Sequence, residues 1–352
     1  MKKASILALG VIFYGLFAGG AFANSAPVVS GVTASQRNDD SKLVDVYYNL
    51  ADADGDSCTV WVVISSNNGQ TWDVPAMTFY GAVGQGITPG NGKRAIWDAG
   101  KDMPGKVATF KARVYADDGQ GPADMVMVPA GYFAYQGNYA NQTFVNSFKI
   151  DKYEVTNDFY CQYLNNADPT GAHYDTNMEI GRFGVSGNYT YTVKAGRGQY
   201  PIRYVSWDDA NAFAVWRGSV YGGTYRLPTE QEWEKAAGWD PVLNTEFTYC
   251  YHSNSIDSTW CNYNSAYGGP LPVGSFNGTG GKKDAKSYYG CCDMSGNVWE
   301  WTSSWYTVNS TRVIRGGSWI NIATRCTTTY RIYYTPSYRI SNIGFRLALD
   351  LN

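Results

Sequence analysis

The side chains of this 352-residue chain that have reactive or metal-binding chemistry are few, and their spacing restricts them further. Cysteines stand at positions 58, 161, 250, 261, 291, 292 and 326, and the histidines are His173 and His252. No Cys-x-x-Cys pair occurs, so a cysteine-type tetrahedral zinc site is not expected. There is no His-Glu-x-x-His and no Gly-x-Ser-x-Gly either, which removes the commonest metallohydrolase and serine-hydrolase readings. Asp52, Asp54 and Asp56 alternate as a calcium loop begins, but the terminal Glu of an EF-hand is missing, so a plain turn is expected. The glycine-rich piece from Gly81 to Gly92 neither follows a clear strand nor opens a helix, so it does not read as a phosphate cradle.

What the chain does carry is a narrow alphabet. From Ile320 to Asn342, 17 of 23 residues are Ile, Asn, Thr, Tyr or Ser, against 103 of 329 elsewhere. A β-rich segment would favour Ile, Thr and Tyr, but it should alternate polar and apolar residues. Thr327-Thr328-Thr329 and Ile332-Tyr333-Tyr334 do not alternate, and Pro336 interrupts the run. These five residues share a codon relationship. An AAC or AAT codon gives Asn, and changing one adenine gives Ile, Thr, Ser or Tyr. Arg325 is two adenine changes away, and the pyrimidine third base excludes Lys, Glu, Gln and Met, all absent from the window. The pattern points to substitution aimed at adenines.

The elements that must position this window come from the rest of the chain. Residues 1–23 read as a secretory signal peptide, with Lys2 and Lys3, an apolar Ile6 to Phe17 and small residues at Ala21 and Ala23. No later apolar run reaches the roughly 20 residues of a transmembrane helix. The chain is therefore expected to be exported, to the periplasm, the cell surface or the medium. A net charge of -2 gives no basic footprint, so nucleic acid is not an expected partner. Export makes disulfides expected. Their pairing is open, with Cys250 and Cys261 flanking one loop as the first candidate pair.

Residues 24–121 read as an all-β domain of the immunoglobulin-like or fibronectin-like sandwich kind. Strand-like runs are Leu43 to Tyr48, Cys58 to Ile64 and Val107 to Tyr115, with turn chemistry between them. Asp117 to Pro122 is the expected linker. Residues 122–352 form the second domain. Met125 to Val128 and Phe148 to Val155 read as strands. Helices are expected from cap Thr156 to about Asn166, from Ser206 to Gly218 and from capping-box residues Thr229 and Glu232 to before Gly238. Gly238 to Gly290 has weak periodicity and reads as loop.

The second domain resembles the formylglycine-generating-enzyme (sulfatase-modifying factor) family. The resemblance rests on Met127 to Gly131, Tyr153-Glu154-Val155-Thr156-Asn157, Pro201 to Ala214, Tyr225 to Ala237, Asp293 to Thr302, Arg315 to Trp319 and Gly344 to Leu347. It implies an α+β fold of the C-type-lectin-like kind. The family's catalysts use two cysteines shortly after the Gly-Gly-Ser motif to bind copper. Here Asn321 stands at the first position and only Cys326 matches the second, which argues against catalysis, since a thiolate pair is what selects Cu(I). The resemblance also implies calcium near Asp293-Met294-Ser295-Gly296-Asn297-Val298-Trp299-Glu300, with Asp293, Gly296, Val298 and Glu300 as ligands, and Asn262 and Tyr263 at a second site. Structurally, Glu300 pairing with an Arg and Asp293 capping a turn is the alternative. Trp299 and Trp301 are expected in the core.

The adenine-derived alphabet resembles the variable region of diversity-generating retroelement proteins, whose lectin-like domains are mutagenised at template adenines. That resemblance implies a frame of Gly316, Gly317, Ser318, Trp319, Ala323, Arg331, Pro336, Arg339, Gly344, Phe345 and Arg346. The display positions are Ile320, Asn321, Ile322, Thr324, Arg325, Thr327, Thr328, Thr329, Tyr330, Ile332, Tyr333, Tyr334, Thr335, Ser337, Tyr338, Ile340, Ser341 and Asn342. Eighteen positions approach the 20–30 residues a side of a specific protein interface. Tyrosines bring rigid contact area, and Ser, Thr and Asn bring adaptable hydrogen bonds. The expectation is an exported, non-catalytic binder of a macromolecular ligand, protein or glycan. The alternatives are an oxidoreductase acting on a cysteine substrate and an undiversified carbohydrate or structural binder.

Overall fold

The computed structural model describes residues 27–106, 109–118 and 125–351. The expected signal peptide and the 121/122 domain boundary lie outside the described residues.

The N-terminal part is built from β1 (Val28–Gln36), β2 (Leu43–Ala51), β3 (Cys58–Ser65), β4 (Phe79–Gly81), β5 (Gly84–Ile87), β6 (Gly90–Asp98), a one-turn α1 (Ala99–Asp102) and β7 (Lys111–Asp117). The strands form two antiparallel sheets, ordered β1-β2-β6-β4 and β5-β3-β7. Alternation explains why they pack on each other. Val44, Val46, Tyr48 and Leu50 of β2 share one core with Cys58, Val60, Val62 and Ile64 of β3 and with Trp97, as a period of two requires. On the other face of β2, Asp45 takes Arg37 at 2.9 Å and Arg94 at 2.8 Å. β7 begins at Lys111, opposite Ser65 at the end of β3, and the expected start at Val107 lies outside the described residues. The Asp52 region is a turn: its Oδ1 accepts from the N–H groups of Asp54, Gly55 and Asp56.

The second part runs β8 (Met125–Val128), β9 (Gly131–Phe133), β10 (Thr143–Val145), β11 (Phe148–Asp151), α2 (Asn157–Ala167), β12 (Ile180–Phe183), β13 (Thr190–Val193), α3 (Trp207–Tyr221), β14 (Tyr225–Arg226), α4 (Glu230–Gly238), β15 (Trp239–Asp240) and β16 (Thr245–Glu246). Irregular chain follows as far as β17 (Trp299–Thr307). Then come β18 (Thr311–Arg315), β19 (Arg331–Tyr334), β20 (Ile343–Gly344) and β21 (Ala348–Leu349). The main sheets are ordered β14-β21-β11-β8 and β19-β18-β17-β20. The result is an α+β domain with much irregular structure.

The caps fall where side-chain chemistry puts them. Thr156 accepts from Phe159 N–H, and both Ser206/Asp209 and Thr229/Glu232 form reciprocal capping boxes. Two glycines do not end their helices as expected. α3 passes Gly218 and stops at Gly222, which has φ 74°. A Cβ at Gly218 would meet Gly223 O at 2.8 Å, so that glycine serves close packing. Gly238 is the last residue of α4, and Thr328 packs against it, 2.9 Å from where a Cβ would sit. The expected strand to Val155 ends at Asp151, since Val155 N–H instead donates to Phe345 O at 2.9 Å.

One core gathers α2 and α3 around Phe159, Phe213, Phe345, Trp299 and Trp301, and a second gathers Trp233, Trp239, Met294 and Cys326. The two parts of the chain meet through Val63, Trp72, Met127 and Leu351. Arg113 lies 4.4 Å over Trp72, and Tyr115 donates to Leu351 O at 2.8 Å. All seven cysteines are buried and unbridged, so the expected Cys250–Cys261 pair is not formed. Among the described residues no helix is long and apolar enough to cross a membrane.

Candidate functional site

The run from Arg315 to Arg346 is held from beneath by buried charge and by glycine. Arg346 and Glu300 are both fully buried, joined by two hydrogen bonds of 2.7 Å, and Trp233 Nε1 donates to the same carboxylate at 2.7 Å. Arg315, also buried, pairs with Glu234 and donates to Thr328 O at 2.8 Å and Thr329 O at 3.0 Å. Gly317 has φ 76°, and a Cβ there would lie 2.7 Å from both Arg325 O and Cys326 Sγ. That position combines a left-handed backbone with a close approach, so only glycine fits. Arg331 reaches Glu230 at 2.7 Å and Arg339 reaches Asp209 at 2.7 Å. Arg315, Arg331 and Arg339 thus tie the run to helices α4 and α3, and Arg346 ties it to strand β17.

Above this frame the side chains divide in three. Ile320, Ile322, Thr324, Arg325, Tyr333, Thr335, Ser337 and Tyr338 are exposed. Asn321, Thr327, Thr329, Tyr330, Ile332, Tyr334, Ile340 and Ser341 are half-buried, and Tyr330, Ile332, Tyr334 and Ile340 lean on the core below. Thr328 and Asn342 are buried and correct the expected display set. Thr328 Oγ1 donates to Phe247 O at 2.7 Å, and Asn342 Nδ2 donates to Ser318 Oγ at 3.0 Å. Both are small polar groups that satisfy the interior, which is why the same alphabet serves there. Sixteen of the eighteen positions therefore reach solvent at least in part.

The sequence reading missed the aromatic groups outside the window that complete this surface. Tyr306 of β17 stacks on Tyr333 at 4.1 Å. The Arg312 guanidinium lies 3.3 Å from the Trp305 ring and 3.9 Å from the Trp207 ring. Tyr334, opposite Arg312 in the ladder, stacks on Tyr338 at 4.5 Å. Only the density of aromatics in Trp299–Thr307 could have signalled them. A cleft of about 960 Å³ beside α2, lined by Glu154, Asp158, Phe159, Gln162, Tyr191 and others, includes none of the eighteen positions.

The two positions at which catalysts of the family carry cysteines hold Asn321 and Cys326, both engaged within the protein. Asn321 Oδ1 accepts from Ser318 Oγ at 2.5 Å, and Asn321 O accepts from Asn264 N–H. Cys326 is fully buried, and burial pushes its thiol up to about 12. His173 bonds Asp209 at 3.0 Å, and His252 is stacked on Phe247. Among the described residues no group of three His, Cys, Asp or Glu could hold a metal ion.

Of the expected calcium ligands, Glu300 is engaged through both carboxylate oxygens and Asp293 through one. Both Glu300 oxygens are engaged by Arg346 and Trp233. Asp293 Oδ2 accepts from Gly274 N–H at 2.6 Å, and burial raises that carboxyl to about 6. The N–H groups of Gly296 and Val298 donate to Gly316 O and Glu154. At the second expected position Asn262 Oδ1 is buried without a hydrogen-bond partner, while its Nδ2 donates to Gly269 O at 2.9 Å.

Comparison with known proteins places this geometry. Residues 111–351 match the model of the sulfatase-modifying factor enzyme 1-like domain. The inactive C-alpha-formylglycine-generating enzyme 2 of Bos taurus is 34% identical over 166 residues, 43% of this chain and 50% of that protein. The hercynine oxygenase of Mycobacterium tuberculosis is 27% identical over 266 residues, 66% of this chain and 56% of that protein. The chain thus spans about half the length of these curated relatives. Among solved structures, CarF superposes with a TM-score of 0.52 at 25% identity, covering 66% of this chain and 99% of CarF. One relative is named inactive and another an oxygenase, so the scaffold alone does not decide activity. The chain belongs to the sulfatase-modifying factor (FGE-sulfatase) family.

Proposed function

We propose that this chain is an exported, non-catalytic recognition protein whose C-terminal domain displays a binding face diversified by a retroelement. One observation carries the reading. The alphabet reached from Asn by single adenine changes is concentrated at positions whose side chains emerge from a frame fixed by buried arginines and glycines. Mutation can then alter the surface without disturbing the fold, because the frame's stabilising contacts lie elsewhere. The ligand is a macromolecule, protein or glycan, met by stacked tyrosines and adaptable hydroxyl and amide groups. The N-terminal two-sheet part, read as an immunoglobulin-like or fibronectin-like module, serves as spacer or attachment unit. The reading is tested in the gene's neighbourhood. A nearly identical DNA repeat differing chiefly at adenines, with a reverse-transcriptase gene, is expected, and the absence of both would favour an undiversified binder.

The relatives named as enzymes support a second reading, an oxidoreductase that modifies a cysteine substrate. It requires copper uptake and oxygen consumption with a Cys-containing peptide, both abolished by Cys326→Ser. The single buried thiol, with Asn321 at the position of the other cysteine, predicts that neither occurs.

A further inference from the structure

We infer that β19, the strand inside the diversified window, is a docking edge that takes an extended acidic peptide segment of the ligand as an added strand. The inference rests on the recognition reading above and names its partner more narrowly.

β19 is the outer member of the sheet ordered β19-β18-β17-β20, and it pairs with β18 only. In an antiparallel ladder every second residue turns its N–H and C=O away from the neighbour. Two of the four residues of β19 therefore offer backbone donors and acceptors outward, and no strand lies there among the described residues. An open edge is a template for pairing that proteins usually blunt. β19 is short, and Pro336 follows it closely, which limits uncontrolled growth of the sheet while leaving room for a few partner residues. The arrangement suits a diversified site. Main-chain hydrogen bonds would supply affinity that most side-chain changes leave in place, and the variable side chains would supply specificity. Tyr333, stacked on Tyr306, and Tyr334, stacked on Tyr338, hold side chains of the strand in fixed positions.

Charge selects the partner. From Trp301 to Leu349 the chain has no Asp, Glu or Lys but six arginines. Arg315, Arg331, Arg339 and Arg346 are consumed by Glu234, Glu230, Asp209 and Glu300. Arg325 is exposed and pairs with no acid among the described residues; Arg312, in the strand beside β19, forms no salt bridge there but is held between Trp207 and Trp305 and donates to Ser303 O. The run is thus locally cationic on a chain of net charge -2. Complementary charge favours an acidic segment and repels a basic one.

The test pans a random linear peptide display library on the full chain and then follows backbone amide exchange with and without a selected synthetic peptide. The expected peptides are enriched in Asp and Glu and slow exchange at Arg331–Tyr334. N-methylation of alternate peptide residues should weaken binding about tenfold or more, as expected for two lost backbone hydrogen bonds. Arg325→Glu should weaken it too. Peptides without acidic enrichment, unchanged exchange at β19, indifference to N-methylation, or no selected peptide at all would each overturn the inference. A glycan array run in parallel separates the two readings. Glycan binding lost in Tyr338→Ala, with no peptide bound, overturns the strand inference and leaves the recognition face standing. A selected peptide whose binding ignores both Tyr338→Ala and Arg325→Glu, and leaves β19 exchange unchanged, sinks both.

Discussion

Replacing Glu300 by Gln should separate frame from face most sharply. Glu300 and Arg346 are fully buried, and the carboxylate accepts two 2.7 Å hydrogen bonds from Arg346 and one from Trp233. Glutamine keeps the shape, removes the negative charge and turns an N–H₂ toward an N–H donor. Breaking a buried pair from one side costs about 3–5 kcal/mol, because the remaining charge is stranded in low dielectric. Since total stabilities are about 5–15 kcal/mol, that loss would be a large part of the fold. Urea unfolding followed by tryptophan fluorescence measures it, with reductant present to keep the cysteines as thiols. The midpoint should fall by more than about 1 M while the slope stays unchanged, given slopes of about 1–3 kcal/mol per M. A loss below about 1 kcal/mol would refute the reasoning that this pair holds the window's base. So would a wild-type midpoint that drops comparably in EDTA, because Glu300 would then be answering to a metal ion.

Three further outcomes follow from the same division. Thr335→Tyr and Ser337→Tyr, both at exposed positions, should change stability by no more than about 0.5 kcal/mol, whereas Thr328→Tyr should cost about 1–3 kcal/mol or more by overpacking against Gly238; denaturant midpoints decide. Gly317→Ala should be destabilising by at least about 1–2 kcal/mol from the left-handed backbone alone, before the clash with Cys326, and should lower the thermal midpoint clearly. The last concerns pH. Burial, with Glu234 nearby, pushes the Glu246 carboxyl from 4.5 to about 8. Between those values the folded chain keeps a proton the unfolded chain has released, so this group's contribution to stability falls as pH rises from about 4.5 to about 8. Glu246→Gln should flatten that dependence in melts at pH 5 and 7.5, and an unchanged slope would contradict it.

Much of the fold was legible because its signals are local. Thr156, Ser206 with Asp209, and Thr229 with Glu232 cap helices through bonds made within three residues, so spacing alone reveals them. The alternation in Leu43–Ala51 reveals a half-buried strand for the same reason. The helix ends at Gly218 and Gly238 were misread because those glycines answer to distant neighbours, Gly223 O and Thr328, that no local pattern contains. The display face was legible as an alphabet, yet Thr328 and Asn342 carry the alphabet inside the core, where composition does not report burial. Tyr306, Trp305 and Arg312 joined the face only through the pairing of β17, β18 and β19. Glu300 was read from a motif shared with metal ligands, with pairing to an Arg as the alternative; which arginine is not legible, because Arg346 lies 46 residues away.

The measurement that bears most directly on the account is deep sequencing of this gene across a population of cells that carry it. The account predicts substitutions confined to the display codons between 320 and 342 and falling at adenines of the template, with Gly316, Gly317, Arg331, Arg339 and Arg346 constant. Uniform sequence there, or substitutions spread evenly over frame and face, would contradict it.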